Sequence, residues 1–429
     1  MKVINSFPIS AFGGLNFVLN YLNSLKITEL LNKTLPKLAP QTKYSWSDII
    51  YSHLAIFFCG GNATEDLNLH IKPHLLDNPF VKVPSADRVL ARYSELSQEI
   101  KTCKTKYGTA LHKYCTNSTL ENLMIEILKK LKVFDSKEIT LDYDNTIVFN
   151  EKQDSVMTYK KNPGYQPGVC TINEKYILYI ENRGGNSDAK SYQADTLERL
   201  FKLLTHKETK KIDYFRADAA SYQYDVVTLV ETHVNNFYIG CRNDYVEKYY
   251  SLITDWQELD DGSGMEVGSI EIQPFVKSFN KDNKQPQTYR LVVKRKPRDD
   301  KQLNIFTEGA YDYRAILTND FKRSTVDAAL FYNQRGNMER EFDILKNDFG
   351  WNTMPFSTME KNLVFMYFTA IFRNLYNGIV NYFSKKVSFL KPTHRIKAFI
   401  FRFVTLPAKW ICQGRQLKLK IYTSKDYCL

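Results

Sequence analysis

The sequence predicts a mixed α/β protein. A mixed-sheet core occupies the middle of the chain, a β-rich insertion interrupts it, and helical N- and C-terminal regions flank it. Three observations carry this. Apolar residues recur at helical spacing up to about residue 135. From Lys137 the period changes to two, and strand-like and helix-like segments then alternate. Residues 244–312 are again strand-like, and a long amphipathic segment follows them. Of 429 residues, 25% are charged and 43% hydrophobic, which excludes a disordered or collagen-like chain.

Residues 9–25, 46–58, 86–96 and 120–131 are amphipathic and separated by Gly, Pro and Asn clusters, so 1–135 reads as mostly helical. Ser85 precedes Ala86 and Asp87 as a candidate N-cap. Arg88 and Arg92 share a face of that helix and are candidates for DNA contact, against the plain alternative of a surface helix. Glu95, one turn on, either opposes a phosphate there or pairs with Arg92. The core, 136–243, opens with a strand over 138–149. Residues 169–172 and 175–180 form a hairpin turning at Asn173 and Glu174. A helix over 194–204, a strand over 212–215, a helix over 222–232 and a strand over 237–241 follow. In the insertion, 265–276 and 288–293 are strands, with Gly262, Gly264, Pro286 and Pro297 at turns. The second part of the core, 313–384, returns as a strand over 313–317. It continues as one long helix over 326–346, and further helices run to about 383. A basic region, 385–429, closes the chain.

The longest apolar run, 363–383, contains Arg373, Asn374, Asn377 and Asn381, so it reads as a buried core helix, and no membrane partner is expected. The N-terminal apolar run is broken by Asn16, Asn20 and Asn23 and lacks the form of a secretory signal. Seven scattered cysteines without a C-x-x-C pair predict a reduced, cytoplasmic chain with no cysteine-type zinc site. The net charge is +12. Residues 361–425 hold 13 Lys or Arg and no Asp or Glu, which leaves 46 basic against 47 acidic residues elsewhere. A basic excess gathered in one segment suits a polyanion, because each neutralised phosphate releases counterions. A merely solubilising tail would not be so rich in Phe and Tyr.

Three acidic positions stand out. Asp144 ends the first core strand in Asp144-Asn145-Thr146, Asp218 follows the 212–215 strand in Arg216-Ala217-Asp218, and Glu339 lies in the long helix. Carboxylates from two strand ends and a neighbouring helix can converge on two hard cations about 3.5–4 Å apart, the arrangement that suits phosphoryl transfer on DNA. Capping of the next element is the alternative for each Asp alone. At about 100° per residue, Tyr332, Arg335, Glu339 and Lys346 fall near 0°, −60°, −20° and −40° of one helix face. Phe331, Met338, Phe342, Leu345 and Phe349 make an apolar stripe beside that row. Asp142 and Asp213 are reserves for the first and second acids, and Glu341 points away from the row.

With these residues the chain resembles the bacterial insertion-sequence transposases of the DDE class, over about residues 40–385. That group carries a Tyr–Arg–Glu–Lys signature around its third acid, matched by Tyr332, Arg335, Glu339 and Lys346. Its Asp-x-Thr is matched at Asp144 and Thr146, and its Arg-x-Asp at Arg216 and Asp218. The run after Asp218 departs from the Gly and aromatic that relatives often have there. The resemblance implies an RNase H-like catalytic core with Asp144, Asp218 and Glu339 as a catalytic, metal-binding triad for two Mg²⁺ ions, with Mn²⁺ able to substitute. It implies that Tyr332, Arg335 and Lys346 contact the DNA backbone. The implied partners are double-stranded DNA at the terminal inverted repeats and the target, and a second copy of the chain in the DNA complex. The implied activity is cleavage and strand transfer at the element's own ends, associated with the bacterial nucleoid. Relatives that make hairpinned ends hold a flipped base on an aromatic, for which Trp256 is the candidate. The alternatives are an inactive DNA-binding regulator derived from such an enzyme, and an RNase H-like nuclease that never joins strands.

Overall fold

The change of period near residue 137 marks the entry of the chain into the middle of a large sheet. A computed structural model describes residues 9–104, 111–207, 209, 211–259, 262–297 and 311–424. The 11-stranded sheet contains β1 (Lys101–Lys104), β2 (Leu111–Cys115), β3 (Thr140–Asn145), β4 (Gly168–Ile172), β5 (Tyr176–Arg183) and β6 (Ile212–Ala217). It continues with β7 (Val234–Cys241), β8 (Gln257–Glu258), β9 (Glu266–Ile272), β10 (Tyr289–Pro297) and β11 (Tyr311–Thr318). Across the sheet the order is β1-β2-β5-β4-β3-β6-β7-β11-β10-β9-β8. β3, β6 and β7 run parallel, while β4 is antiparallel to both of its neighbours. The segment β5-β4-β3-β6-β7 therefore has the strand order 3-2-1-4-5 of an RNase H-like core.

Local sequence explains the joints. Asn173 and Glu174 take φ of 50° and 62°, the left-handed conformation of a tight hairpin between right-twisted strands. The parallel pair β6 and β7 is connected by the helix Tyr224–His233, as a parallel pairing requires. The helix Met359–Ser384 is long and apolar enough to cross a membrane, yet 94% of its most apolar window is buried inside the fold. Its polar residues have a physical reason. β5 pairs with β2 only at Asn182 and Arg183, which leaves the rest of that edge without a strand. The helix supplies the missing partners: Asn374 accepts from Ile177 N at 2.9 Å and donates to Ile177 O at 2.7 Å. The Tyr367 hydroxyl likewise accepts from Ile180 N at 3.1 Å and donates to Ile180 O at 2.9 Å.

Some elements add to the expectations and two correct them. Within the mostly helical N-terminal region, β1 and β2 join the sheet beside β5. The β-rich insertion extends the core sheet, since residues 290–297 of β10 pair with all of β11. The single helix expected over 326–346 is two, Thr325–Asn333 and Asn337–Asp348, joined by a 3₁₀ turn at Gln334–Gly336. Gly336 and the flanking Asn333 and Asn337 are weak helix formers, and the Gln334 side chain is engaged elsewhere. The C-terminal region ends in a hairpin, Ala408–Gln413 with Gln416–Ile421, turning at Gly414 and Arg415, both at φ 60°. There Leu417, Leu419 and Ile421 alternate with Lys418 and Lys420, a period-two signal hidden by the charge.

Candidate functional site

Two of the three acids sit at the C-terminal ends of neighbouring parallel strands. In β3, Leu141 and Tyr143 are buried on one face, which turns Asp142 and Asp144 to the other. One Asp144 oxygen accepts from Asn145 N at 2.8 Å, and the other is paired with Arg335 Nη2. Burial pushes the Asp144 carboxyl up, Arg335 opposes this, Asp218 adds to it, and the balance lies at about 7. Asp218 directly follows β6 and caps the turn Ala219–Ser221, accepting from Ala220 N at 3.0 Å.

The third acid comes from the broken helix. Glu339 lies in the first turn of Asn337–Asp348, its side chain 74% exposed, with Oε1 3.8 Å from Arg335 Nη1. Lys346, two turns on, donates from Nζ to Thr146 Oγ1 at 2.7 Å. Burial, with Lys160 nearby, holds its ammonium below the usual lysine range. Asp144, Asp218, Arg335, Glu339 and Lys346 all line one open cleft of about 570 Å³, with Thr146, Phe149, Tyr159 and Lys160 on its wall.

The donor set suits a hard cation in type: three carboxylates around one guanidinium leave a net negative charge. Burial alone would weaken the hold of Arg335 on its proton; Asp144, Tyr332, Asp218 and Glu339 outweigh it and raise the group above its usual range. Arg335 is thus the counter-charge of the acids. Closure is incomplete in this arrangement. Among the described residues, no three acidic, imidazole or thiol side chains stand close enough to hold one ion. In this arrangement Arg335 holds Asp144 and the Glu339 side chain is exposed.

Tyr332 is set apart from the row it was expected to share. Its hydroxyl donates to Ala217 O at 3.1 Å, inside the protein, and burial pushes it far above the usual tyrosine range. Gly240 on β7 makes room: a Cβ there would lie 2.5 Å from that hydroxyl. The bond to Ala217 O braces the loop that carries Asp218.

A second brace escaped the sequence reading. Arg216, fully buried, forms a bidentate pair with Asp142 at 2.7 and 2.8 Å. It also donates to Glu174 at 2.9 Å, to Phe331 O at 2.8 Å and to Gln334 Oε1 at 3.3 Å. One guanidinium so ties β3, β6, the 173–174 turn and the helix break together. The available signal was the Arg of Arg-x-Asp facing an Asp two residues before the first acid. Of the reserves, Asp142 is therefore structural. Asp213 accepts from Ile139 N at 2.8 Å and Asn235 Nδ2 at 3.0 Å, at the other end of its strand. Glu341 forms a buried bidentate pair with Arg373 at 2.9 and 2.7 Å.

Elsewhere, Ser85 caps its helix as expected, its Oγ accepting from Arg88 N at 3.4 Å. Arg88 is exposed, whereas Arg92 pairs with Glu95 at 2.5 Å, so of the two readings of Glu95 the structure has the pair. Neither arginine lines the cleft. Trp256 is covered by the Arg295 guanidinium, 3.9 Å from its ring centre.

None of the curated proteins compared matches the chain. Among solved structures, the chain is similar to piggyBac transposase in a cryo-EM synaptic complex with hairpin DNA. The two share 13% identity over 92% of this chain and 80% of that chain, with a TM-score of 0.43. A family model described as transposase DDE domain group 1 matches residues 7–427. With nearly its whole length matched, the chain belongs to that family of DDE-domain transposases.

Proposed function

We propose that the protein cuts and rejoins DNA at the ends of its own mobile element. Water cleaves one strand at each end, and the freed 3′-hydroxyl attacks a second phosphodiester, displacing the oxygen on its far side. Two divalent cations, Mg²⁺ with Mn²⁺ as substitute, held by Asp144, Asp218 and Glu339, would activate the attacking oxygen and stabilise the leaving one. The remaining work belongs to the chain's own groups. Arg335 neutralises the carboxylates and, when released from Asp144, has a guanidinium within the cleft to place on a phosphate. Lys346, tethered to Thr146, holds a second positive charge on the same wall. Tyr332 and Arg216 keep the Asp218 loop and the helix break in register with β3. No side chain acts as a nucleophile. The basic C-terminal region, with Arg88 at the N-terminal region, is assigned to the flanking duplex, and two copies of the chain to the paired ends. Its place in the cell is with its DNA, in the bacterial nucleoid.

The observation that carries this reading is the meeting of Asp144, Asp218, Glu339, Arg335 and Lys346 in one cleft, from three separate parts of the chain. The experiment is cleavage of a plasmid carrying the gene's own flanking DNA, with Mg²⁺ or Mn²⁺, beside the Asp144→Asn variant. Cuts at the two ends, absent in the variant, are expected, and joined products separate a transposase from a nuclease that only cuts. One observation favours the second reading, an inactive DNA-binding relative: Glu339 is exposed and Arg335 holds Asp144. End binding without cutting in either metal would select it.

A further inference from the structure

Between β3 and β4 the chain builds a small three-stranded sheet from Val148–Phe149, Val156–Met157 and Pro163–Tyr165. It is firmly anchored. Asp154 accepts from Met359 N at 2.7 Å and from the Tyr165 hydroxyl, and Gln153 N donates to Ser357 O at 3.0 Å. Gly185 packs so closely that a Cβ would lie 2.4 Å from Val156 O and 2.6 Å from Gly164 O. The turn at its tip is closed by Thr158, which bonds Asn162 O through both N, at 3.0 Å, and Oγ1, at 2.8 Å. This rigid flap nevertheless holds Phe149 47% exposed and Tyr159 66% exposed.

The exposed rings are not scattered. Phe149 and Tyr159 line the same cleft as Asp144, Asp218 and Glu339, and Lys160 and Lys346 stand with them on its wall. An anchored backbone presenting two exposed rings beside cationic groups, with Lys160 Nζ 6.0 Å from the Tyr159 ring centre, has the make-up of a surface that stacks bases while flanking lysines hold the phosphates. A duplex hides the faces of its internal bases, so an unpaired nucleotide reaches such rings without the cost of unstacking a base step. Trp256 is less open than these rings: it is half-buried, and the Arg295 guanidinium lies 3.9 Å from its ring centre, against 6.0 Å for Lys160 over Tyr159.

We propose that Phe149 and Tyr159 form a stacking platform for an unpaired nucleotide of the DNA strand entering the catalytic cleft. The assignment rests on the transposase reading and adds to it a subsite that recognises a base face, independent of sequence. It implies that the chain prefers DNA frayed or single-stranded next to the reacting phosphate over fully paired DNA. It also implies that the preference belongs to the rings and needs no hydroxyl at position 159.

The test uses the full chain in EDTA, so that binding is read without cutting. The probes are two duplexes of the gene's flanking DNA, one blunt and one ending in a three-nucleotide overhang that carries 2-aminopurine. The wild type is expected to bind the overhang probe about tenfold more tightly than the blunt one, with quenched 2-aminopurine emission. Phe149→Ala with Tyr159→Ala should remove the quenching and most of that preference, whereas Tyr159→Phe should keep both. Both rings are exposed, so the substitutions spare the core. Wild-type binding to both probes with no preference and no quenching overturns the platform and leaves the transposase reading standing. Quenching that survives in the double variant also overturns it. Failure of the wild type to bind either probe overturns both readings.

Discussion

At the scale of single residues, the site is governed by competition for Asp144. In the proposed site the proton, Arg335 and a divalent cation compete for the same carboxylate. Its carboxyl is raised to about 7, chiefly by burial, so the acid form persists through the range in which an ordinary aspartate is ionised. Only the carboxylate binds a cation. Mn²⁺ affinity should therefore fall by about tenfold per pH unit below pH 7 and level off above it. Titration calorimetry from pH 5.5 to 8.5 reads this directly. In Asp144→Asn the affinity should be low and flat across that range, and an unchanged slope would remove Asp144 from the site. Arg335 competes in a different way. Its bond to Asp144 is charge-assisted and largely shielded from water, worth about 1.5–3 kcal/mol. Arg335→Gln should raise Mn²⁺ affinity by about tenfold or more while weakening DNA binding. The comparison belongs at pH 8.5, because loss of the guanidinium also raises the Asp144 carboxyl, and proton competition would mask the gain at pH 7. A variant that loses Mn²⁺ affinity at pH 8.5 would show that Arg335 supports the ion instead of opposing it.

At the scale of elements, the segment 325–348 works as a jointed arm whose two halves have different tasks. The first half braces the sheet, through Tyr332 on Ala217 and through its Phe331 carbonyl on Arg216. The second half presents Glu339 and Lys346 to the cleft. Gly240→Ala tests the brace, since the added Cβ meets the Tyr332 hydroxyl. It should cost about 1–3 kcal/mol in urea unfolding, and Tyr332→Phe alone about 1 kcal/mol. Because the two changes touch at one point, the double variant should cost clearly less than their sum, and strict additivity would separate them. The elements were legible where a local signal was complete: the Asn173-Glu174 turn, the Ser85 cap and the two strand-end acids all follow from short runs of sequence. The joint at Gln334–Gly336 was not, because helical periodicity in the flanks outweighs three weak residues between them. The Arg216 brace was invisible for another reason. It joins residues as far apart as 142 and 331, and no spacing rule spans that distance. The row on one helix face supposed one continuous helix; across the break, Arg335, Glu339 and Lys346 line the cleft together, while the Tyr332 hydroxyl bonds Ala217 O.

At the scale of the whole molecule, the β-rich insertion continues the catalytic sheet, and the basic excess lies at the far end of the chain. Counting charge in the sequence overstates what is free to meet DNA. Arg373 is buried against Glu341, and Arg395 is paired with Asp343 and Asp348 at 2.8 and 2.9 Å. Those two cations serve the junction behind the 337–348 helix. Arg415, Lys418 and Lys420 are exposed, and all three belong to the terminal hairpin, whose first strand is joined to the N-terminal segment by the bridge of Ala408 to Ser10. An exposed basic hairpin joined to the body suits the phosphates of a duplex. Replacing Arg415, Lys418 and Lys420 together by Gln should weaken binding equally to end DNA and unrelated duplex. The slope of log affinity against log salt should fall by roughly 2–3, at about 0.9 per phosphate contact. The unfolding midpoint should barely move, because exposed charges contribute little to stability. Cleavage at saturating DNA should survive, since none of the three lines the cleft. An unchanged salt slope would clear the hairpin of any role at the backbone. A loss confined to end DNA would give it a part in reading sequence, which phosphate contacts alone do not supply.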